Sequence, residues 1–202
     1  MTDPKRHAPA TLRNRDPILA VLERILPQEG LILETNSGSG EHAAYMAPRL
    51  APRTWQPSDF DDSACASIAA HTADSAADNI RPSVKLDVTW TTWPVDEAAA
   101  ILSMNMIHIA PWEACLGLLD GAARILKGDE AILFLYGPFK RDGRHTAPSN
   151  DAFDRSLRAQ DPCWGVRDLD AVAAEAAARG LALVEIVDMP SNNCSVIFSR
   201  TN

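Results

Sequence analysis

Apolar positions along this chain switch between helical spacing and short continuous runs, and the switches predict its elements. Ile18, Leu22, Ile25 and Leu26 share one helical face. Asp16-Pro17 before them reads as the N-cap and first-turn pair that opens the helix, and Pro27 ends it. Residues 31–34 are an apolar run closed by a carboxylate, which predicts a first strand. Helical spacing returns over 41–47 and stops or kinks at Pro48. A second strand is expected over 54–58, with Pro57 at its end because proline cannot donate to a ladder. An alanine-rich helix over 61–77, a third strand over 84–88 and a fourth over 98–104 follow. A helix over 112–126 stops near Gly128, and a fifth strand over 131–136 is apolar throughout, the pattern of burial on both faces. Residues 137–165 form a long connection with one short helix over 150–159, the kind of segment that serves as a lid or substrate-side insertion. A helix over 168–179 stops at Gly180. Strands over 181–187 and 196–199 are close enough for an antiparallel hairpin.

Alternating strands and helices define an α/β architecture with a mainly parallel sheet. The order of five strand–helix units followed by a hairpin resembles the class I S-adenosylmethionine-dependent methyltransferase fold. That resemblance implies a three-layer, Rossmann-like sandwich with a seven-stranded sheet whose last strand inserts antiparallel beside the fifth. A length of 202 residues fits one domain over 1–202.

Composition narrows the partners. The net charge of −8 argues against a nucleic-acid partner, since phosphate binding rests on Lys and Arg. Lys5, Arg6, Arg13 and Arg15 form the one basic cluster, read as a solvated arm. Cys65, Cys115, Cys163 and Cys194 show no metal-ligand spacing, so no metal site is expected. Scattered cysteines, no signal-peptide pattern and no apolar run long enough to span a bilayer point to a cytoplasmic protein without a membrane partner, as monomer or homodimer.

The chemistry concentrates where the first strand ends. Glu34-Thr35-Asn36-Ser37-Gly38-Ser39-Gly40-Glu41 is a small-residue loop between strand and helix, built for close backbone approach to a ligand. Gly38-Ser39-Gly40-Glu41-His42-Ala43 also fits the dinucleotide fingerprint. Charge separates the two readings. A pyrophosphate disfavours Glu34 and Glu41, whereas a sulfonium and an ammonium are suited by them. A plain structural turn stays open. Asp59 ends the second strand, placed to accept from ribose hydroxyls, and Phe60 is placed to cover an adenine face. Asp87-Val88 ends the third strand, where resemblance to the methyltransferase fold implies a carboxylate that accepts from the adenine amino group and a following backbone N–H that reaches the ring nitrogen; a surface turn explains Asp87 equally well. Asn105, a further cofactor-binding candidate, and His108 follow the fourth strand at the ligand-binding edge of the sheet, His108 as proton acceptor or substrate-orienting group, or as a buried structural histidine.

Longer motifs extend the match: Arg13-Asn14-Arg15-Asp16-Pro17-Ile18-Leu19, Trp55-Gln56-Pro57-Ser58-Asp59, Tyr136-Gly137-Pro138-Phe139-Lys140, Ser149-Asn150-Asp151-Ala152-Phe153-Asp154, Trp164-Gly165-Val166-Arg167-Asp168 and Met189-Pro190-Ser191-Asn192-Asn193. With these the chain resembles an uncharacterised methyltransferase-like family, domain of unknown function 938, over nearly its whole length. The resemblance implies S-adenosylmethionine as cofactor at Glu34, Gly38, Gly40, Asp59 and Asp87, and no particular acceptor. Asn36 stands where many class I enzymes have glycine; asparagine tolerates left-handed backbone and reaches the cofactor's amino-acid end. His108 and Tyr136 are the catalytic candidates, and Asn14, Arg15, Asn150, Arg167 and Asn192 the substrate-side ones. A small-molecule methyltransferase is the leading reading. A non-catalytic binding or regulatory module and a nicotinamide-dependent oxidoreductase are the alternatives.

Overall fold

In the computed structural model, which describes residues 3–75 and 77–201, a seven-stranded sheet runs in the order β3-β2-β1-β4-β5-β9-β8. The strands are β1 (Leu31–Thr35), β2 (Thr54–Asp59), β3 (Val84–Lys85), β4 (Ala100–Met104), β5 (Ile132–Gly137), β8 (Leu181–Met189) and β9 (Asn193–Arg200). β1 to β5 pair in parallel, and β9 inserts antiparallel between β5 and β8. The helices are α1 (Pro9–Ile25), α2 (Glu41–Met46), α3 (Asp62–Ala73), α4 (Trp112–Ile125), α5 (Pro148–Gln160) and α6 (Leu169–Ala177). A separate two-stranded ribbon, β6 (Lys140–Arg141) with β7 (Arg144–His145), precedes α5. Two apolar cores lie on opposite faces of the sheet. Ile18 and Leu22 of α1 and Met46 of α2 fill one; Leu118 of α4 and Val172 of α6 fill the other. β4 and β5 between them are buried at every position, which is why their sequences are continuous apolar runs.

Several boundaries differ from the sequence expectation, each for a local reason. α1 opens at Pro9 rather than at Pro17, which sits inside it. Both prolines suit a first turn, and the interior one leaves only the Arg13 carbonyl without its i+4 donor. Asp16 is consequently no cap; its carboxylate accepts from the Tyr45 hydroxyl. Pro57 is mid-strand, in register with Glu34. Trp55, two residues earlier, turns its N–H outward to the Asn79 carbonyl, so Pro57's donor-less nitrogen faces the sheet's outer side. There the Gln56 amide donates to the carbonyls of Pro57 and Pro82 instead. β3 is only two residues long because Asp87 turns the chain: its Oδ1 accepts from the Thr89 N–H at 2.9 Å. α3 begins after Asp61, whose side chain caps Ser63 N–H, and ends at Ala73; Ala76, within the expected helix, lies outside the described residues. α6 is capped by Asp168 in the same way. Of the basic cluster, Lys5 pairs with Asp74 and Arg6 with Asp61 at the surface, the Arg6 N–H donates to Ser67 Oγ, and Arg13 and Arg15 belong to α1, Arg13 exposed. Among the described residues no helix is long and apolar enough to cross a membrane.

Candidate active site

The loop after β1 is latched to the end of β2. Ser37 N–H donates to the Ser58 carbonyl at 2.8 Å, and the Ser58 hydroxyl donates to the Glu34 carbonyl at 2.8 Å. Asp59 Oδ2 accepts from Gly38 N–H at 2.9 Å, and its Oδ1 accepts from Asp61 N–H at 3.1 Å. Asn36 takes φ of +51°, the left-handed conformation its side chain tolerates. Gly40 has φ of +87°, and a Cβ there would lie 2.6 Å from Ile68 Cα, so glycine lets α3 pack against the start of α2.

Glu34 stands beneath this loop with a side chain sealed from solvent. Its Oε2 accepts from the Trp55 indole N–H at 3.0 Å, while Oε1 has no partner. Burial pushes the carboxyl up to about 7; the Trp55 hydrogen bond opposes the rise, and the nearby Asp59 charge adds to it. Glu41 goes the other way. Burial raises its pKa, but the Ala8 N–H, the Ser39 hydroxyl and His7 all bond the carboxylate and hold it below the usual range. One ring nitrogen each of His7 and His71 comes within 4.8 Å of a Glu41 oxygen, a grouping that linear spacing does not reveal.

Two cavities open at the C-terminal edge of the sheet. The first, about 300 Å³, is walled by Asn36, Phe60, Asp87, Val88, Ile109 and Trp164, with Glu113 at its side. Its faces are apolar, its charges are carboxylates, and no Lys or Arg lines it. The second, about 350 Å³, gathers Asn14, Asn105, Tyr136, Asn150 and Asn193, with Phe153 at its mouth. Tyr136 is buried, and burial raises its pKa while the side chains of Asn14 and Asn193 work to lower it.

The two cavities divide the residues singled out from the sequence. Asn36, Phe60, Asp87 and Val88 share the first. Glu34, Gly38, Gly40 and Asp59 build the loop that carries Asn36. Asn105 is expected with them but lines the second cavity beside Tyr136, Asn14 and Asn150. Asn192 supports that cavity from behind: its carbonyl accepts from the Asn150 amide at 2.8 Å. Arg15 lies instead over the Tyr45 ring, 4.1 Å from its centroid. Arg167 is a clamp. It donates to the carbonyls of Ile107 (2.8 Å), Ala110 (2.5 Å) and Cys163 (2.9 Å), fastening the two segments that supply Ile109 and Trp164. His108 lies under Gly137, fully buried and edge-on to Phe139. Its Nδ1 accepts from the Arg167 N–H at 3.2 Å, and burial drops its pKa to about 3. It lines neither cavity, so the structure places it as a neutral packing group, away from any proton-accepting position.

Residues 5–200 match the model of a family described as protein of unknown function (DUF938). The chain belongs to that family. The DUF938 chain also superposes on solved methyltransferases. They include the mitomycin 7-O-methyltransferase MmcR, at TM-score 0.79 and 15% identity over 95% of this chain and 54% of that one. Human N-acetylserotonin methyltransferase in complex with SAM gives 0.77 and 12% over 96% and 53%. The calicheamicin-biosynthesis methyltransferase CalO1, in its SAH-bound form, gives 0.74 and 15% over 95% and 55%. The DUF938 chain thus has the Rossmann-like class I methyltransferase fold and spans about half the length of these proteins.

Some residues of the DUF938 site escape sequence reading. Trp55 is visible as a strand aromatic, but its bond to Glu34 depends on the β1–β2 register. His42 is visible in the glycine motif, yet its bond to Asn14 Oδ1 at 3.0 Å needs α1 packed on α2. Asn193, rather than its neighbour Asn192, lines the second cavity.

Proposed function

We propose that the DUF938 chain is an S-adenosylmethionine-dependent methyltransferase acting on a small molecule. The observation that carries this reading is the chemistry of the first cavity. Its apolar walls suit a purine, and Asp87 and Glu113, with no cation among the lining residues, suit a positively charged ligand. A dinucleotide would bring a pyrophosphate against Asp87 and Glu113 with no lining cation to meet it, an electrostatic mismatch.

In this reading Phe60 and Val88 hold the adenine, and Asp87 accepts from its amino group. Asp59, already bonded to two backbone N–H groups, offers its remaining lone pairs to the ribose. Asn36 and the Gly38–Gly40 turn meet the amino-acid end. When bound, the cofactor supplies an electrophilic methyl on a sulfonium. The chain's contribution is alignment, an effect worth up to roughly 7–11 kcal/mol. Residues 137–165 serve as the acceptor-side cover: Pro138, Asn150 and Phe153 wall the second cavity and Trp164 the first. All four cysteines are free thiols, which suits the cytoplasm.

The test is thermal unfolding with S-adenosylhomocysteine or NADH. At a hundred times its dissociation constant the demethylated cofactor stabilises the fold by about 2.7 kcal/mol. A rise in melting temperature with S-adenosylhomocysteine, lost in Asp59→Ala, is expected. A rise with NADH alone would replace this reading by the oxidoreductase one.

A further inference from the structure

The second cavity is polar without being charged. Asn14, Asn105, Asn150 and Asn193 line it together with Tyr136, Ser149, Ser191 and Phe153. No Lys, Arg, His, Asp or Glu lines it. Three of the amides are held by neighbours; the Asn193 NH₂ donates to the Pro190 carbonyl at 3.1 Å. Asn14 Oδ1 is held by His42 Nε2 at 3.0 Å, which leaves the Asn14 NH₂ for the Tyr136 side. Asn150 spends its NH₂ on Thr146 Oγ1 (3.0 Å) and the Asn192 carbonyl (2.8 Å), which leaves its carbonyl oxygen as an acceptor. The cavity therefore offers neutral donors and neutral acceptors in fixed places.

We infer that this cavity is the methyl-acceptor site and takes an uncharged small molecule bearing a phenolic or enolic hydroxyl. The inference rests on the methyltransferase reading of the first cavity. A phosphate or carboxylate entering here would lose water without meeting a cation, and an ammonium without meeting a carboxylate. The hydroxyl must be acidic in its own right because the cavity supplies no side-chain base. Burial disfavours the ionised form of Tyr136, whose hydroxyl faces Asn14 and Arg13 from α1 and Asn193 and Cys194 from β9. His42 lies behind Asn14, kept neutral by burial and occupied by that amide. In the transfer, the acceptor oxygen forms a bond to the methyl carbon as the methyl–sulfur bond breaks. The bonding pair leaves with sulfur, which becomes a neutral thioether. The hydroxyl proton passes to solvent at the cavity mouth. A phenol, with a pKa near 10, makes that loss accessible; an alkyl alcohol does not.

A matched set of probes tests this on the whole chain saturated with S-adenosylhomocysteine, read by thermal shift and by calorimetry. The probes are 2-naphthol, 2-naphthylmethanol, 2-naphthyl phosphate and 2-naphthylmethylamine. We expect 2-naphthol and 2-naphthylmethanol to bind at least about tenfold more tightly than the two charged probes, the loss expected for one uncompensated polar group. With S-adenosylmethionine, only 2-naphthol is methylated, and its rate rises with pH along its own ionisation. Asn14→Asp places a carboxylate in the wall and shifts the preference about tenfold toward 2-naphthylmethylamine. Absence of 2-naphthol binding, or equal binding of the phosphate or the amine to the native chain, would overturn the inference. In that case a retained S-adenosylhomocysteine shift leaves the methyltransferase reading standing; loss of that shift removes the reading itself.

Discussion

Glu34→Gln isolates the cost of a buried carboxylate at the centre of the site. Glu34 is 1% exposed, bonds Trp55 through one oxygen and leaves the other bare. Its pKa rises from 4.5 to about 7 on folding, chiefly through burial. The sign follows from proton counts. Below pH 4.5 the carboxyl is protonated both folded and unfolded, and stability is unaffected. Between 4.5 and 7 the unfolded chain releases a proton that the folded chain keeps, so stability falls as pH rises. At about 1.4 kcal/mol per pH unit the loss amounts to roughly 3 kcal/mol by pH 7.5. Glutamine keeps an acceptor for the Trp55 indole and removes the titration. Urea unfolding of both proteins without ligand, from pH 5 to pH 8, reads the difference. The native chain should lose stability relative to Glu34→Gln by about 2–3 kcal/mol across that range. His42 and His108 are present in both proteins, so their titrations cancel. Parallel stability curves over the same range would refute a strained, proton-holding Glu34.

Three further perturbations follow from the geometry. Gly40→Ala sets a Cβ 2.6 Å from Ile68 Cα at a φ of +87°; denaturant unfolding should show a loss of about 2–4 kcal/mol, and a change near zero would contradict that packing. Arg167→Met strips donors from three backbone carbonyls and should cost about 1–3 kcal/mol, with faster hydrogen exchange in both 105–111 and 161–167; exchange confined to one segment would contradict the clamp. Burial depresses the pKa of His42 to about 4. Its contribution is therefore full above pH 6.5 and declines as pH falls toward 4, so at pH 5 the native chain should have lost about 2 kcal/mol relative to His42→Gln, measured against their difference at pH 7.5. A difference that does not change with pH would contradict a neutral buried ring.

The sheet was legible because its strands carry their burial in their composition. The runs 31–33 and 131–136 are apolar at successive positions since both faces of β1 and β5 are covered. Proline misled twice for one reason. At Pro17 and Pro57 the local rule concerns a missing N–H, and tertiary context decides whether that N–H was needed. Asn36, Phe60, Asp87 and Val88 of the first cavity were legible as neighbours because each ends a parallel strand or follows its end, and those ends meet at one sheet edge. The acceptor side was only half legible. Its Asn14, Tyr136 and Asn193 come from α1, β5 and β9, and the antiparallel insertion of β9 beside β5 brings them together. His108 was legible as a histidine after β4, but its depth under Gly137 depends on the β5 backbone passing over it.

The central claim is that the acidic cavity beside β1 holds the methyl donor. A crystal structure of the chain with S-adenosylhomocysteine tests it most directly. The account predicts the adenine between Phe60 and Val88, the ribose on Asp59 and the sulfur directed toward the Asn105–Tyr136 cavity. A ligand seated elsewhere, or a ribose out of reach of Asp59, would contradict it.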